Sequence, residues 1–349
     1  MRLATTVILA CMTNLACAQT ILKAQLPPNA QAHSIFALTA TEIAQSTAGR
    51  VKLQTYPAGT LATDSTIWQS VSSGTVEIAV TPIASLEQLD RRFAVYSAPF
   101  LFGDFGGATR FEASPASQQM LSALSEKGLT GIAYIHQSFD VLLAKGPITS
   151  PNMLKGQTFS TLPSSASFAS VLNSAGGKAV QTSAPDLFES YTKGQVSGVA
   201  APPQLFQSSN FSKEGGTITR TNHLYRGSVL VMNTRSLNSL LPADRAAVMA
   251  SLIGASRALS STAIAEYYAA LRAAGSTKKV ATPTPADMQA WRASAAQAWK
   301  NVGVQVGTDL FAVAVAAAGG TGGGGDPCPT LEECRCENKT CSKDCCEKK

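Results

Sequence analysis

The densest reactive chemistry in this 349-residue chain sits at its C-terminal end. Cys328, Cys334, Cys336, Cys341, Cys345 and Cys346 follow one another there, with Cys-x-Cys and Cys-Cys spacings among them. Thiols this close support two kinds of chemistry. In an oxidising compartment they pair into disulfides and staple a small knob. As thiolates, Cys334, Cys336, Cys341, Cys345 and Cys346 offer a soft-metal site for zinc or copper(I), with a spacing similar to metallothionein clusters. Leu331 is nearly alone as an apolar residue in this stretch, so the tail needs cross-links or metal to fold. A dangling, dispensable extension is the third reading.

The rest of the chain carries little that could catalyse. Its three histidines are His33, His136 and His223. None lies at i, i+4 from another and none neighbours a cysteine, so zinc-hydrolase spacings are missing. There is no Gly-x-Ser-x-Gly elbow. Positions 19–327 hold no cysteine, which removes thiol catalysis from the body. Carboxylates are sparse and unpaired in sequence. The glycine-rich run 316–325 has no Gly-Lys-Ser/Thr after it, so it is a linker and not a phosphate loop. Neither an enzyme nor a cofactor is expected.

Any site must then be built by ordinary folded elements. Ile35, Leu38 and Ile43 predict one face of a helix that Gly49 stops. Val51–Tyr56 alternates like a strand. Asp64 is placed to cap a helix through Ile67 and Val71, ended by Gly74, and Val76–Val80 reads as the next strand. Ser114-Pro115 opens a helix with Met120, Leu121 and Leu124, and Thr130–His136 reads as a strand. Phe168, Val171 and Leu172 mark another helix. Ser183-Ala-Pro-Asp186 resembles a capping box before Leu187 and Tyr191. Gln195–Ala200 and Ser228–Met232 read as strands. From Pro242 to about Ala274 one long helix is expected, long enough to cross two lobes. Helix and strand signals alternate, so the class is α/β.

Composition agrees with a folded body. Hydrophobic residues make up 45% and charged residues 14% of the chain. Net charge is +6, with the basic residues scattered, so no nucleic-acid surface is expected. Arg2, the apolar run Leu3–Met12 and the small-x-small site Ala16-Cys17-Ala18 read as a secretory signal peptide. Cys17 as a lipidated residue is a weaker variant, because Asn14 stands where an aliphatic residue is wanted. No other continuous apolar run reaches the roughly 18 residues a membrane span needs. A soluble, periplasmic mature chain is expected.

Five stretches, in order, then resemble one family. They are Thr47-Ala-Gly-Arg-Val through Pro57-Ala-Gly-Thr-Leu61, Gly74-Thr-Val-Glu-Ile-Ala79, Ser97-Ala-Pro-Phe-Leu-Phe102, Pro147-Ile-Thr-Ser-Pro through Leu154-Lys-Gly156, and Thr221-Asn-His-Leu-Tyr225 through Asn233. Together they resemble the substrate-binding proteins of tripartite ATP-independent periplasmic (TRAP) transporters, the C4-dicarboxylate-binding family. The resemblance implies two α/β lobes with hinge strands, a long bracing helix and closure over a ligand. It implies a solute-binding component that delivers a small organic solute to membrane permease subunits. The other readings are a sensing module for a membrane receptor, and a metal or redox protein acting through the tail. The implied organisation is a signal peptide over 1–18, lobe I over 19–137 and lobe II over 138–228. The segment 229–315 then holds the return strand to lobe I, the bracing helix and the C-terminal helices. Linker 316–325 and Cys-rich tail 326–349 follow.

The chain departs from the family where the ligand is held. The resemblance implies an arginine a few residues after Leu-Lys-Gly, clamping a carboxylate by a two-pronged hydrogen bond. Ser160 stands there. A second arginine position meets Gln137, and the acids expected near Gly198 are replaced by Ser197 and Ala200. The implied ligand contacts are Asn233, Ser160, Gln137, Phe100 and Ser197. Their neutral groups suit a less charged solute than a dicarboxylate, unless Arg226 or Lys145 supplies a substitute cation.

Overall fold

The structure is a computed structural model that describes residues 19–27, 29–207, 215–277 and 279–319. The signal-peptide segment, residues 320–325 of the glycine-rich linker and every cysteine of the tail lie outside those residues. Nine strands form one sheet: β1 Thr20–Gln25, β2 Val51–Tyr56, β3 Ile78–Pro82, β4 Leu129–Ala144, β5 Thr158–Thr161, β6 Lys178–Gln181, β7 Gly198–Ala201, β8 Thr217–Asn233 and β9 Lys279–Ala281. Their order is β2-β1-β3-β8-β4-β7-β5-β6, with β9 on β8.

Helices cover both faces. In the first half of the chain they are α1 Ala30–Ser46, α2 Ile67–Ser73, α3 Ile83–Leu86, α4 Phe105–Glu112 and α5 Pro115–Ala123. Later come α6 Ala166–Ser174, α7 Ala184–Thr192, α8 Thr234–Ser239, α9 Pro242–Thr277, α10 Pro285–Ser294, α11 Ala296–Val306 and α12 Thr308–Ala317.

Two long antiparallel strands, β4 and β8, join the sheet's halves. β8 pairs with β3 through Ser228–Met232, while β4 pairs with β7 through Val141–Ala144. Each long strand therefore belongs to one lobe at one end and to the other lobe at the other. The ladder between them is broken at the crossing. A bulge falls between His136 and Ser138, and Asp140↔Leu224 is followed by Leu142↔Thr219. So β8 spends five residues where β4 spends two, and Asn222 takes φ 46° in that excursion. Bulges bend and re-aim strands, as a hinge between lobes requires.

Helix α9 braces both halves. Val248, Leu252, Ala255 and Leu259 pack with β1, β3 and α1 residues such as Leu22, Ile78 and Phe36. About two to four turns beyond Leu259, Tyr267, Leu271 and Ala274 pack with Phe105, Phe139 and Val141. The helix is long and apolar enough to span a membrane, but 39% of its most apolar window is buried in this fold. Arg50 fixes its first turn by gripping both carboxylate oxygens of Asp244, at 2.9 and 2.6 Å.

Several expectations need correction. Leu38 is 74% exposed; the buried face of α1 is Ala32, Phe36, Thr39 and Ile43. Helix α2 begins after Thr66, and Asp64 does not cap it. Ser183 makes no backbone capping bond; the reciprocal box is Thr284 with Asp287. β4 and β8 run well past the expected strand ends, and α12 continues through Ala316 and Ala317.

Candidate functional site

The cleft between the sheet halves lies beyond the C-terminal ends of β1 and β3, where open α/β sheets expose ligand sites. One cavity of about 420 Å³ is lined there by Asp64, Pro82, Glu87, Ser97, Ser164 and Tyr225, among others. A second of about 240 Å³ is lined by Gln25, Val80, Gln137 and Ser228. Both share Asp64, Pro82, Arg226 and Gly227, so they are two ends of one cleft. Their summed size falls within the range of small-molecule pockets, about 300–1,000 Å³.

Arg226 is the cleft's central charge, and it is already engaged. Its Nε donates to Asp140 Oδ1 at 2.9 Å and its Nη2 to Asp140 Oδ2 at 2.5 Å. Nη2 also donates to Ser165 Oγ at 2.7 Å, and Nη1 to Ser164 Oγ at 2.6 Å. Asp140 is fully buried, and Ser165 gives it a further hydrogen bond at 3.1 Å. A guanidinium has five N–H groups, so one on Nη1 remains for a ligand. The acids Asp64 and Glu87 line the same cleft. Burial raises the Glu87 carboxyl above its ordinary value. An entering dianion therefore meets one spare N–H and two acids.

Of the residues expected to touch ligand, Gln137 is in the cleft. It stands in the bulge between His136 and Ser138, which turns its side chain out of the β4 alternation. Asn233 is elsewhere. Its amide donates to the carbonyls of Val71 and Ser72 at 2.7 and 3.2 Å, and its oxygen caps α8 by accepting from Ser236 N at 2.8 Å. That spends the whole side chain on joining α2 to α8. Ser160 is buried on β5, with its hydroxyl against Thr182 and 3.4 Å from Ser190. Ser197 and Lys145 line a different cavity, of about 510 Å³, at the far end of the second lobe. Phe100 is 1% exposed and stacks on Trp291 at 5.2 Å, with Phe168 edge-on at 5.9 Å. It locks α10 to α6, and its φ of 59° is held by a backbone bond to the His223 carbonyl at 2.9 Å.

Asp140 was missed because its partner is fixed by strand register, with Ser138 opposite Arg226. A buried set behind the cleft wall, Glu112 from α4, His136 from β4 and Tyr225 from β8, was missed because only tertiary packing brings these three elements together. Among the described residues no group of three or more His, Cys, Asp or Glu could hold a metal.

Comparisons with known proteins converge on one family. The model for bacterial extracellular solute-binding protein, family 7 (DctP), matches residues 23–305. The C4-dicarboxylate-binding periplasmic protein DctP of Vibrio cholerae is 24% identical over 275 residues, covering 77% of this chain and 81% of that protein. A TRAP periplasmic solute-binding protein from Shewanella oneidensis, solved with bound succinate, superposes with a TM-score of 0.74 at 22% identity, covering 86% of this chain and all of that one. Another from Ochrobactrum anthropi, with its C-terminus bound in the ligand-binding pocket, gives 0.80 at 19% identity, covering 86% of this chain and 95% of that one. The two-lobed α/β fold expected from the sequence is the fold of these proteins.

Proposed function

The chain belongs to family 7 of the bacterial extracellular solute-binding proteins, and from that premise we propose that it captures a small, uncharged organic solute between its lobes and hands it to membrane permease subunits. The relatives' names place them in the periplasm and in TRAP transport, which supports the same compartment and the same delivery role here. The reading takes the lobe borders at the β4–β8 crossing, near residues 137 and 228.

One observation carries the choice of solute. Arg226, the one cation at the centre of the cleft, is neutralised by buried Asp140. A carboxylate ligand would have to displace that pair to gain a two-pronged grip, and Asp64 and Glu87 oppose it further. Gln137, Ser97 and Ser164 offer neutral hydrogen bonds instead. No turnover is expected of a protein whose relatives are named for binding a solute.

Thermal melts of the full chain with succinate, galactonate and uncharged polyols test this. A ligand at about 100 times its Kd adds about 2.7 kcal/mol, or about 5–10 °C in a protein this size. A shift with uncharged solutes alone supports the reading. A shift with succinate sinks the uncharged solute and leaves the binding protein standing. A chain ending at Gly319 should bind the same solute, and loss of binding there would favour the reading in which the cysteine tail acts.

A further inference from the structure

Four side chains join end to end where β4 and β8 cross. Glu112 Oε1 lies 2.8 Å from the Tyr225 hydroxyl, which lies 2.7 Å from His136 Nδ1. His136 Nε2 lies 2.9 Å from Thr109 Oγ1, and the Thr109 hydroxyl donates to the Phe105 carbonyl at 2.9 Å. Glu112, His136 and Tyr225 are buried, whereas Thr109 is exposed. Tyr225 lines the solute cleft. The chain of bonds thus runs from the cleft wall to solvent.

Counting protons defines its state. Four contacts need four protons. Thr109, Tyr225 and a neutral imidazole bring one each, and the Phe105 carbonyl brings none. The fourth sits on Glu112 as an acid, or on His136 as a second imidazole proton facing a carboxylate. Burial decides between the two, because it penalises both charged forms. It pushes the Glu112 carboxyl up to about 8 and the His136 imidazole down to about 4. The 3.8 Å approach of Glu112 Oε2 to His136 Nε2 is then a contact between neutral groups. In this state every bond runs one way. The Tyr225 hydroxyl, which donates to Glu112 when that group is a carboxylate, instead accepts the acid proton of Glu112 and donates to His136 Nδ1, while His136 Nε2 donates to Thr109 and Thr109 to Phe105.

Beyond the Tyr225 hydroxyl, whose hydrogen bond favours the carboxylate less than burial opposes it, the surroundings offer little that would hold a charge on Glu112. Tyr96 and Tyr134 face it from the segment before α4 and from β4, both pushed up by burial and so neutral. Arg92 acts on Tyr134 and is itself paired with Asp90. Arg110 on α4 and Asp309 on α12 are exposed. From α9, Ser260 Oγ accepts the His136 backbone N–H at 3.1 Å, and the carboxyl of Glu266 is raised by burial.

We propose that Glu112, Tyr225 and His136 form a proton-binding site at the crossing of the hinge strands, filled near neutral pH, and that its proton fixes the Tyr225 hydroxyl in the cleft wall. The site stands on its own geometry; only its link to solute capture rests on the function proposed above. Loss of the proton leaves three protons for four contacts, so one bond opens. Exchange with solvent proceeds through His136 and Thr109.

Infrared spectra of the full chain between pH 6 and 9 test the site directly. The expected result is a protonated-carboxyl band that fades across about pH 8 and is missing in Glu112→Gln. The melting temperature of the wild type falls from pH 7 to 9. That of Glu112→Gln stays flat, since its amide donates to Tyr225 in the same direction at every pH. Should Glu112→Gln fail to fold, Tyr225→Phe serves: the band persists and its midpoint moves by a pH unit or more. The proposal is overturned if the wild type shows no such band, if Glu112→Gln retains it, if both proteins lose stability alike above pH 7, or if Tyr225→Phe leaves the midpoint in place. None of these outcomes touches the solute-binding reading, which the melts with succinate and polyols decide separately.

Discussion

The guanidinium of Arg226 has five N–H groups, and four are spent on Asp140, Ser164 and Ser165. Asp140 thus keeps the cleft's one central cation from acting as a carboxylate clamp. Asp140→Asn should separate the two roles. It leaves a largely buried guanidinium without its counter-charge, a loss of about 3–5 kcal/mol, read by urea denaturation. It also frees a charged donor pair for an anion. Succinate should then stabilise Asp140→Asn while leaving the wild type unmoved, with affinity at least about tenfold higher in the variant. Equal indifference to succinate in both proteins would mean that the pair is not what excludes a dianion.

At the scale of elements, the second lobe's sheet depends on close backbone approach at β7. A Cβ on Gly198 would stand 2.4 Å from the Phe159 ring and 2.6 Å from the Leu143 carbonyl. Gly198→Ala should therefore cost about 1–3 kcal/mol or more by overpacking between β4 and β5. Gly254 is the opposite case, exposed in the middle of α9 with nothing within 4 Å of its would-be Cβ. Gly254→Ala should raise stability by about 0.5–1 kcal/mol, because the helix no longer orders a glycine. Thermal melts of the two variants should move in opposite directions. The same contrast explains what could be read from the sequence. β2 and α9 were legible, β2 by its alternation and α9 by a long run of helix-forming residues with no proline after Pro242. The middle of β4 and β8 was not, because polar residues at the crossing, such as Ser138 and Asp140 or Thr221 and His223, interrupt the apolar pattern. Those residues look like loop until the folded chain brings the Asp140 carboxylate to Arg226 and, from α4, Glu112 to Tyr225. Asn233, Ser160 and Phe100 were named from a resemblance of sequence, which locates a position along the chain but not the direction its side chain takes.

For the molecule as a whole, the buried titrating groups set how stability varies with pH. Burial lowers the imidazoles of His136 and His223 from the ordinary 6.5 to about 4 and about 3, and raises the Glu112 carboxyl from 4.5 to about 8. Between pH 4.5 and 6.5 the unfolded chain binds two imidazole protons that the folded chain refuses. The folded chain holds one proton on Glu112 that the unfolded chain has released. The unfolded state leads by one proton, so stability rises with pH at up to about 1.4 kcal/mol per unit. Above 6.5 both imidazoles are neutral in either state and only Glu112 counts. Now the folded state leads by one proton, and stability falls at a similar slope until about pH 8. The melting temperature should therefore peak near pH 6.5 and decline on both sides. The acid limb belongs to the histidines and the alkaline limb to the carboxyl at the hinge. His223→Asn should flatten the acid limb and leave the alkaline one in place, since His223 lies in β8 with its Nδ1 on Thr221 and takes no part in the Glu112 relay. A melting temperature that rises steadily from pH 5 to 8 would show that these buried groups do not govern the molecule's response to protons.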